Sequence, residues 1–293
     1  MRLLLISSAL CIGLTVGSQS LAGDDTSSDS STAGFGPQPI IYVDVHASTW
    51  RSRGRISFGL VPFLKMKLTS AGFGVTQDPE SPHDLTLTVD YREEPGKPIS
   101  INLSGTEITC VMLLDHPQQG QLLSTKIHER PRYAELVTAP YVEVVEQFQT
   151  NPYFYFIGDL IRGRIDADLD TAGALIHAVA RQFDRERHPR IPTLLDTLES
   201  PAETFPDLDL HFAALARENA VQELGRLKDP RAIELLKTLM FYSEPRTRLG
   251  AVLALGEYDA PFLAPAMTRV IRADSDPDVR DAAATVLARY PVP

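Results

Sequence analysis

Cysteine, tryptophan and positive charge are all scarce in this sequence. Its 293 residues include two cysteines and one tryptophan, and 38 acidic residues against 28 Lys and Arg give a formal net charge of −10. An acidic protein repels phosphate groups, so the composition argues against a protein whose main task is to bind nucleic acid or an anionic membrane surface. Hydrophobic residues make up 43% of the chain, enough for two domains with ordinary buried cores.

Only one of the two cysteines is expected to remain in the mature chain, which excludes an intramolecular disulfide. Cys11 lies in an N-terminal segment that we expect to be removed, and Cys110 lies in the apolar stretch 108–114. A nucleophilic thiol needs a nearby base and partial exposure, and the sequence shows no sign of either. We therefore predict that Cys110 is a buried strand residue.

The first 22 residues have the pattern of a secretory signal peptide. Arg2 forms a small positive region, residues 3–16 are almost uncharged and apolar, and the tripeptide 20–22 is a small-x-small cleavage site. The apolar run is short for a membrane anchor, because spanning takes roughly 20 apolar residues. A lipoprotein would be acylated at Cys11, but Leu10 stands where a small residue is needed. We expect a periplasmic or secreted protein, cleaved after residue 22 and without stable insertion in the membrane.

The rest of the chain divides into a tether, two domains and a connection. Residues 23–39 are rich in Ser, Thr, Gly and Pro, which predicts a disordered linker. Residues 40–188 alternate between strand and helix patterns, prolines stiffen the segment 189–210, and residues 211–293 carry a repeat. The predicted fold class is α+β: an N-terminal α/β sandwich-like domain with a mainly antiparallel sheet, followed by an all-α solenoid of helical hairpins.

Periodicity locates the elements of the N-terminal domain. Apolar residues alternate near residues 41–45 and most clearly over 84–91, as in strands with one buried face. Helical spacing runs over 60–71, ending at Gly72, and again over 171–185. A turn at Glu94-Pro95-Gly96 and further strands complete an antiparallel meander; these strands are 99–103, 108–114 and 122–127.

This order of elements resembles the small α/β domains of bacterial envelope proteins of the curli-secretion and penicillin-binding-protein-activator type. The residues that carry the resemblance are the helix 60–71, the turn Ala71-Gly72-Phe73 and the strand His83–Val89, and the similarity covers residues 40–186. It implies an accessory or assembly role in the envelope and no catalytic residues.

Four consecutive aromatic residues occupy positions 153–156, within the segment Asn151–Ile157. They cannot all face one core from one helix, because 3.6 residues per turn spreads them around the axis. We predict that some of them pack where the two domains meet. The alternative is a patch that binds a ligand or a partner.

One phrase recurs three times near the C-terminus. Arg-x-x-Ala-x-x-x-Leu begins at Arg217, Arg248 and Arg280, at intervals of 31 and 32 residues, and Gly225 and Gly256 complete the first two copies. A period of this length predicts stacked helical hairpins, with Ala and Leu of each copy on one helix face. We expect the two glycines to end their helices and three segments, each with a capping Asp and a proline in the first turn, to start the next ones: Asp229-Pro230, Asp259–Pro261 and Ser275–Arg280.

The repeated phrase, followed by its Asp turn, is similar to HEAT repeats of the short variety named after phycobilisome lyases, over residues 211–290. In the third copy Ala288 replaces the glycine. The resemblance implies a surface that binds another protein. Some relatives bind a di-iron centre through His-Glu pairs, but the repeats contain no such pair, and the nearby histidine is His211. We therefore expect neither a metal nor lyase activity on bilins.

The three repeated arginines, 217, 248 and 280, allow two interpretations. They could form a ladder that binds anions. We favour a structural role, in which each arginine bonds to a neighbouring turn or pairs with an acid such as Asp278 or Asp281.

Signals for catalysis are missing elsewhere. The chain has no Gly-x-Ser-x-Gly elbow, phosphate-binding Gly-rich loop or Cys-x-x-Cys pair. The loop Arg51–Arg55 could hold an anion at a helix N-terminus but is typical of a solvated surface loop, and the sequon at Asn102 matters only in a eukaryotic secretory pathway. Seven histidines lack metal-ligand spacing: 46, 83, 116, 128, 177, 188 and 211. We predict no catalytic, cofactor-binding or metal-binding residue and no cofactor.

The predicted function is that of an exported, non-catalytic envelope scaffold or adaptor that binds another protein through its HEAT-like repeats. The alternative is an enzyme or small-ligand receptor with its pocket in the N-terminal domain, near the aromatic run. A third hypothesis is a self-assembling structural module. Deleting residues 201–293 should remove the partner of a scaffold and leave the ligand of a receptor.

Overall fold

A computed structural model describes residues 38–50, 59–100, 103–134, 139–187, 206–258 and 260–290. Several predicted features lie outside the described residues: the signal peptide 1–22, nearly all of the linker 23–39, the loop Arg51–Arg55, the sequon residue Asn102, and positions 189–205 of the connecting segment.

The strands of the described residues form one mixed sheet with the order β2-β1-β3-β4-β5. Strand β1 pairs in parallel with β2 and β3, whereas β3, β4 and β5 form antiparallel pairs, and β6 pairs with the beginning of β4. The bounds are β1 Ile40–Thr49, β2 Gly74–Thr76, β3 Leu85–Ser100, β4 Leu103–His116, β5 Gly120–Glu129 and β6 Arg132–Ala134.

The predicted turn at Glu94-Pro95-Gly96 is wrong, because β3 continues through it to Ser100. The pairing of β1 with β3 ends at Thr49 and Glu93. Beyond that point no strand that the structure describes pairs with the β1 side of β3, so proline need not donate a hydrogen bond to a described neighbouring strand there. Gly96 also faces Gly105 of β4 so closely that a Cβ at residue 96 would lie 2.7 Å from the Gly105 carbonyl carbon. The two glycines therefore let the hairpin continue past the prolines.

Among the described residues of the N-terminal part, five helices follow or interrupt the strands. The predicted helices at 60–71 and 171–185 are confirmed, and Gly72 follows the first with a φ of +86°. The segment 140–168, to which the sequence assigned no element, is helical throughout most of its length. The bounds are α1 Leu60–Ser70, α2 Ala139–Thr150, α3 Pro152–Tyr155, α4 Ile157–Ala167 and α5 Thr171–Arg187.

The helices cover one face of the sheet, and the alternation in the strands places apolar side chains on that face. The side chains of 85, 87, 89 and 91 on β3 are fully buried, as are those of 108, 110, 112 and 114 on β4. Cys110 belongs to this buried set, as predicted, and burial raises the pKa of its thiol to about 12 because a thiolate is poorly solvated there. Such a thiol is inert at neutral pH.

The C-terminal part consists of helices arranged as hairpins. Helices α6, α8 and α10 pack one against the next, while α7 packs on α8 and α9 packs on α10. The mixed sheet followed by a helical array confirms the α+β fold class. The bounds are α6 Pro206–Leu227, α7 Ala232–Leu239, α8 Pro245–Gly256, a 3₁₀ turn Pro261–Leu263, α9 Ala264–Ala273 and α10 Pro277–Leu287.

The motif glycines have a different role from the predicted one at position 225. Helix α6 passes through Gly225 to Leu227, and Lys228 adopts the positive φ, 51°. A Cβ at Gly225 would lie 2.7 Å from the Cα of Ala254 on α8, and a Cβ at Gly256 would lie 2.6 Å from a methyl of Val286 on α10. The glycine of each motif therefore lets one helix approach the equivalent helix of the next repeat; Gly256 is also the last residue of α8, as predicted.

The predicted Asp cap is confirmed at Asp276, whereas the N-cap residue of α7 is Arg231 and not Asp229. Asp276 caps α10 by accepting hydrogen bonds from the backbone N–H groups of Asp278 at 2.9 Å and Val279 at 3.3 Å. Asp229 accepts from the backbone N–H of Arg231 at 2.9 Å, one residue before α7 begins. Asp259 lies outside the described residues.

Candidate functional site

The three repeated arginines are parts of the array's own framework. Arg217 of α6 reaches the N-terminus of α8, where its Nη2 lies 2.6 Å from the Glu244 carboxylate and its Nε donates to the Thr247 hydroxyl at 3.3 Å. Arg248 of α8 donates to both carboxylate oxygens of Asp274, at 2.8 Å each. Each of these arginines therefore joins its own helix to the next repeat.

Backbone carbonyl groups in the loops before α8 and α10 also accept hydrogen bonds from the repeated arginines. Arg248 donates to the carbonyl oxygens of Tyr242 and Ser243, at 3.0 and 2.9 Å, and Arg280 donates to the carbonyl oxygen of Asp274 at 2.9 Å. The predicted structural role is confirmed, although the paired acids are Glu244 and Asp274 rather than positions 278 and 281. Hydrogen bonds from Arg248 hold the pKa of Asp274 below its ordinary value.

The aromatic run lies where the N-terminal part meets the first helix of the array, as predicted. Phe154 and Phe156 are buried, and the Phe154 ring packs against Phe148 of α2 with centroids 4.4 Å apart. Tyr153 points the other way, and its hydroxyl donates to the Glu223 carboxylate of α6 at 3.1 Å. Burial raises the pKa of Tyr153, so its phenol stays protonated as this donor.

Two further polar contacts fix the array to the N-terminal part. The Asn219 amide donates to the Thr150 carbonyl oxygen at 3.1 Å. Arg231 donates to both carboxylate oxygens of Asp170, at 2.8 and 2.9 Å, and Asp170 also accepts from the backbone N–H of Gly173 in the first turn of α5. Helices α6 and α7 are therefore held by α2 and α5 through side chains that are distant in sequence.

A polar cleft of about 360 Å³ opens beside this junction. Glu129 of β5 accepts a hydrogen bond from the Asn151 amide at 2.8 Å, and burial raises the pKa of Glu129. The lining residues that the structure describes include no Ser, Cys, His or Lys, so none of these types is available among them as a nucleophile or proton shuttle. They are Glu129, Gln147, Thr150, Asn151, Pro152, Tyr153, Asn219, Gln222, Glu223 and Arg226.

The outward positions of the array expose large apolar side chains. Phe241, which follows α7, is 50% exposed, Leu253 of α8 is 46% exposed, and Phe262 before α9 is 64% exposed. These residues escaped the sequence reasoning, because the repeated phrase marks the helix faces that pack and not those that remain in solvent. Exposed aromatic side chains are typical of surfaces that bind another molecule.

The part of the chain that the structure describes lacks both a clustered metal site and a membrane-spanning helix. It contains no group of three or more His, Cys, Asp or Glu side chains placed to hold a metal ion. None of its helices is both long enough and apolar enough to cross a membrane.

Comparisons with known proteins bear mainly on the C-terminal part. Two solved structures are similar to this chain with low TM-scores. One is of an uncharacterized protein, 19% identical over 42% of this chain and 90% of that chain, with a TM-score of 0.26. The other is rare lipoprotein B from Shewanella oneidensis, 12% identical over 50% of this chain and 98% of that chain, with a TM-score of 0.24. Similarity this low carries no argument. Comparison with curated proteins gives no match. A family profile described as HEAT repeats matches residues 210–288, so the helical hairpins of the C-terminal part are HEAT-like repeats.

Proposed function

We propose that this protein is an exported, non-catalytic scaffold of the cell envelope that binds another protein through its HEAT-like repeats. Arrays of helical hairpins present extended surfaces to large partners, and the family match supports that class of work. One observation carries the proposal. The residues of the repeated phrase pack inside the array, whereas its outward positions expose Phe241, Leu253 and Phe262 to solvent.

The junction supports a scaffold whose array is held rigidly at one end. Helix α6 packs against α2, α3 and α5, so its outer surface is already covered by the N-terminal part. The surface left for a partner is therefore formed by the later helices. The signal-like residues 1–22 support the proposed envelope placement, as does the resemblance of residues 40–186 to small envelope domains. N-terminal sequencing of the exported protein would test cleavage after Ala22.

The packing of α6 changes the experiment that the sequence suggested. Deleting residues 201–293 would uncover the surfaces of α2, α3 and α5 that α6 now buries. A loss of binding could then reflect misfolding. Substitutions at exposed positions in the full chain avoid this problem.

We would purify the full chain from cross-linked cell envelopes beside a triple variant, Phe241→Ser, Leu253→Asp and Phe262→Ser. The expected result is a stoichiometric protein partner with the wild type that is lost with the variant, at an unchanged melting temperature. Lys126→Ser, an exposed change on the sheet, is the matched control and should keep the partner. Recovery of the same proteins with the triple variant would contradict binding through the repeats.

A further inference from the structure

Helices α7 and α9 present adjacent outward stripes. Along the 3₁₀ turn and α9, residues 262, 265, 269 and 272 are all exposed, and their spacing of three, four and three residues places them on one side of the helix. The repeat period of 31 residues relates them to 231, 234, 238 and 241, which are exposed around α7. We call the residues Phe241, Phe262, Pro265, Arg269 and Arg272 the Phe–Arg surface.

A direct contact joins the two stripes. The guanidinium carbon of Arg269 lies 4.7 Å from the centroid of the Phe241 ring, a cation–π geometry. Both side chains remain exposed. The contact places the Arg269 guanidinium group beside the ring, and its N–H groups remain donors that a carboxylate can accept.

The two arginines of this surface lack the paired carboxylates that several other cations of the array have; among the described residues the exposed Arg246 of α8 is also without one. Arg217 and Arg248 are paired with carboxylates inside the array, and Lys237 of α7 is paired with Glu234 at 2.8 Å. Arg269 and Arg272, by contrast, form no ion pair with any residue that the structure describes. The chain as a whole carries a formal net charge of −10. Two guanidinium groups without an ion-pair partner, one of them against the exposed Phe241 ring, therefore lie on one side of α9 in an acidic protein.

The opposite outward face, on α8 and α10, lacks this character. Leu253 is exposed there too, but its charged neighbours along those helices are of both signs: Arg246, Glu257, Asp278 and Asp281. A face of mixed charge does not select a partner by charge sign. On the α7–α9 side the acid at the equivalent stripe positions, Glu234, is already paired with Lys237 at 2.8 Å, so acidic groups of a partner gain from both arginines.

We propose that the Phe–Arg surface binds an acidic segment of the partner protein, with carboxylates on Arg269 and Arg272 and an apolar side chain packed against Phe241 or Phe262. The proposal rests on the proposed function and names the face and the partner chemistry. Arginine and buried aromatic side chains are the residue types that contribute most to protein interfaces. Carboxylates also pair with a guanidinium fork through two hydrogen bonds, which gives direction as well as attraction.

Selection of short random peptides displayed on phage, with the full-length chain as bait, tests the proposal. We expect the enriched peptides to combine Asp or Glu with Phe, Leu or Trp. The double change Arg269→Glu and Arg272→Glu should lower the affinity for these peptides at least about tenfold and reduce the dependence of that affinity on salt. It should also favour the selection of peptides rich in Lys and Arg instead. Phe241→Ala should lower the affinity for the enriched peptides about tenfold. Leu253→Asp, on the opposite face, should leave their affinity unchanged.

The outcomes separate this proposal from the proposed function. If the enriched peptides bind the double-Glu variant as well as the wild type but are lost in Leu253→Asp, the repeats bind proteins through the other face and the Phe–Arg proposal fails. If no enriched peptide responds to any change in the repeats, the proposed function fails as well. A third arm uses phosphatidylcholine vesicles containing phosphatidylglycerol; flotation that requires Arg269 and Arg272, without acidic peptides, assigns the surface to a membrane and overturns the proposal.

Discussion

The side chains of Arg248 and Asp274 form a bidentate pair that connects consecutive repeats, with both N–O distances at 2.8 Å. The two side chains are only 11% and 6% exposed. Two backbone carbonyl groups, of Tyr242 and Ser243, accept the other N–H bonds of the same guanidinium group. Arg248 thus donates four hydrogen bonds inside the array and acts as an internal connector between repeats.

Replacing Arg248 by alanine should lower the free energy of unfolding by about 3 kcal/mol, because it leaves the buried Asp274 carboxylate without its counter-charge. Urea unfolding followed by circular dichroism measures the change. Arg246→Ala, on the exposed side of the same helix, is the matched control and should change stability by less than about 0.5 kcal/mol. Equal effects of the two substitutions would contradict the structural role of Arg248.

The same pair predicts a pH dependence of stability. Arg248 lowers the pKa of Asp274 in the folded protein below its value in the unfolded chain. The stabilisation is therefore present above the unfolded value, about 3.9, and is lost as the pH falls through the lower folded value. We expect Asp274→Asn to destabilise strongly at pH 7 and progressively less below pH ~4. A destabilisation that stays constant down to the acid transition would show that the carboxylate charge is not what stabilises the loop.

Gly225→Ala tests the close approach of α6 to α8. A new Cβ would lie 2.7 Å from the Cα of Ala254, so the backbones must separate, and we expect a loss of about 2 kcal/mol despite the better helix propensity of alanine. Gly250→Ala is the control, because its Cβ would meet nothing closer than a Val221 methyl at 3.5 Å. That change should stabilise by up to about 1 kcal/mol. Thermal unfolding of both variants gives the comparison, and equal stabilisation by both would refute the close contact.

Gly225 also shows why the sequence predicted the array but misplaced one role within it. The period of the repeat and its buried Ala and Leu positions can be read from local spacing, and the structure confirms both. A glycine near a predicted helix end, however, has two explanations, a left-handed cap or a close contact with another helix. Only the position of Ala254, 29 residues later, decides between them, and local sequence does not contain that information.

The N-terminal part shows the same division between local and distant information. Alternation in β3 and the helical spacing of α1 predicted those elements, because each depends on its own residues. The prolines in β3 led to the prediction of a turn. The prediction failed because proline is tolerated where the pairing with β1 ends, at Glu93, and that end cannot be seen from the sequence. The junction was anticipated only as an aromatic run, since Tyr153 and Glu223 lie 70 residues apart.

A double-mutant cycle measures how strongly the junction holds the array. Tyr153→Phe removes the hydroxyl that donates to Glu223, and Glu223→Gln keeps the shape of the acceptor while removing its charge. Each change should cost about 1 kcal/mol, and a shared hydrogen bond makes the double variant less destabilised than the sum. Additive effects, measured by urea unfolding, would mean that the two side chains act independently.

Glu129 in the junction cleft should show the opposite pH behaviour to Asp274. Burial raises the pKa of Glu129 in the folded protein, which favours its protonated form there. The ionised carboxylate therefore lowers the free energy of unfolding above the folded pKa. It has no effect at pH values where Glu129 is protonated in both the folded and the unfolded protein. Glu129→Gln keeps an acceptor for the Asn151 amide without the charge. We therefore expect a higher melting temperature than the wild type at pH 7 and equal values below pH ~4.

Glu94→Gln is the control for this comparison, because Glu94 is an exposed glutamate on β3, and its melting temperature should match the wild type throughout. A lower melting temperature of Glu129→Gln at neutral pH would contradict the prediction. It would mean that attraction to Arg226, which opposes the effect of burial on the pKa, exceeds the cost of burial. The cleft would then be an ion-paired part of the junction that stabilises the contact between sheet and array, and the half-buried carboxylate would be explained without any ligand.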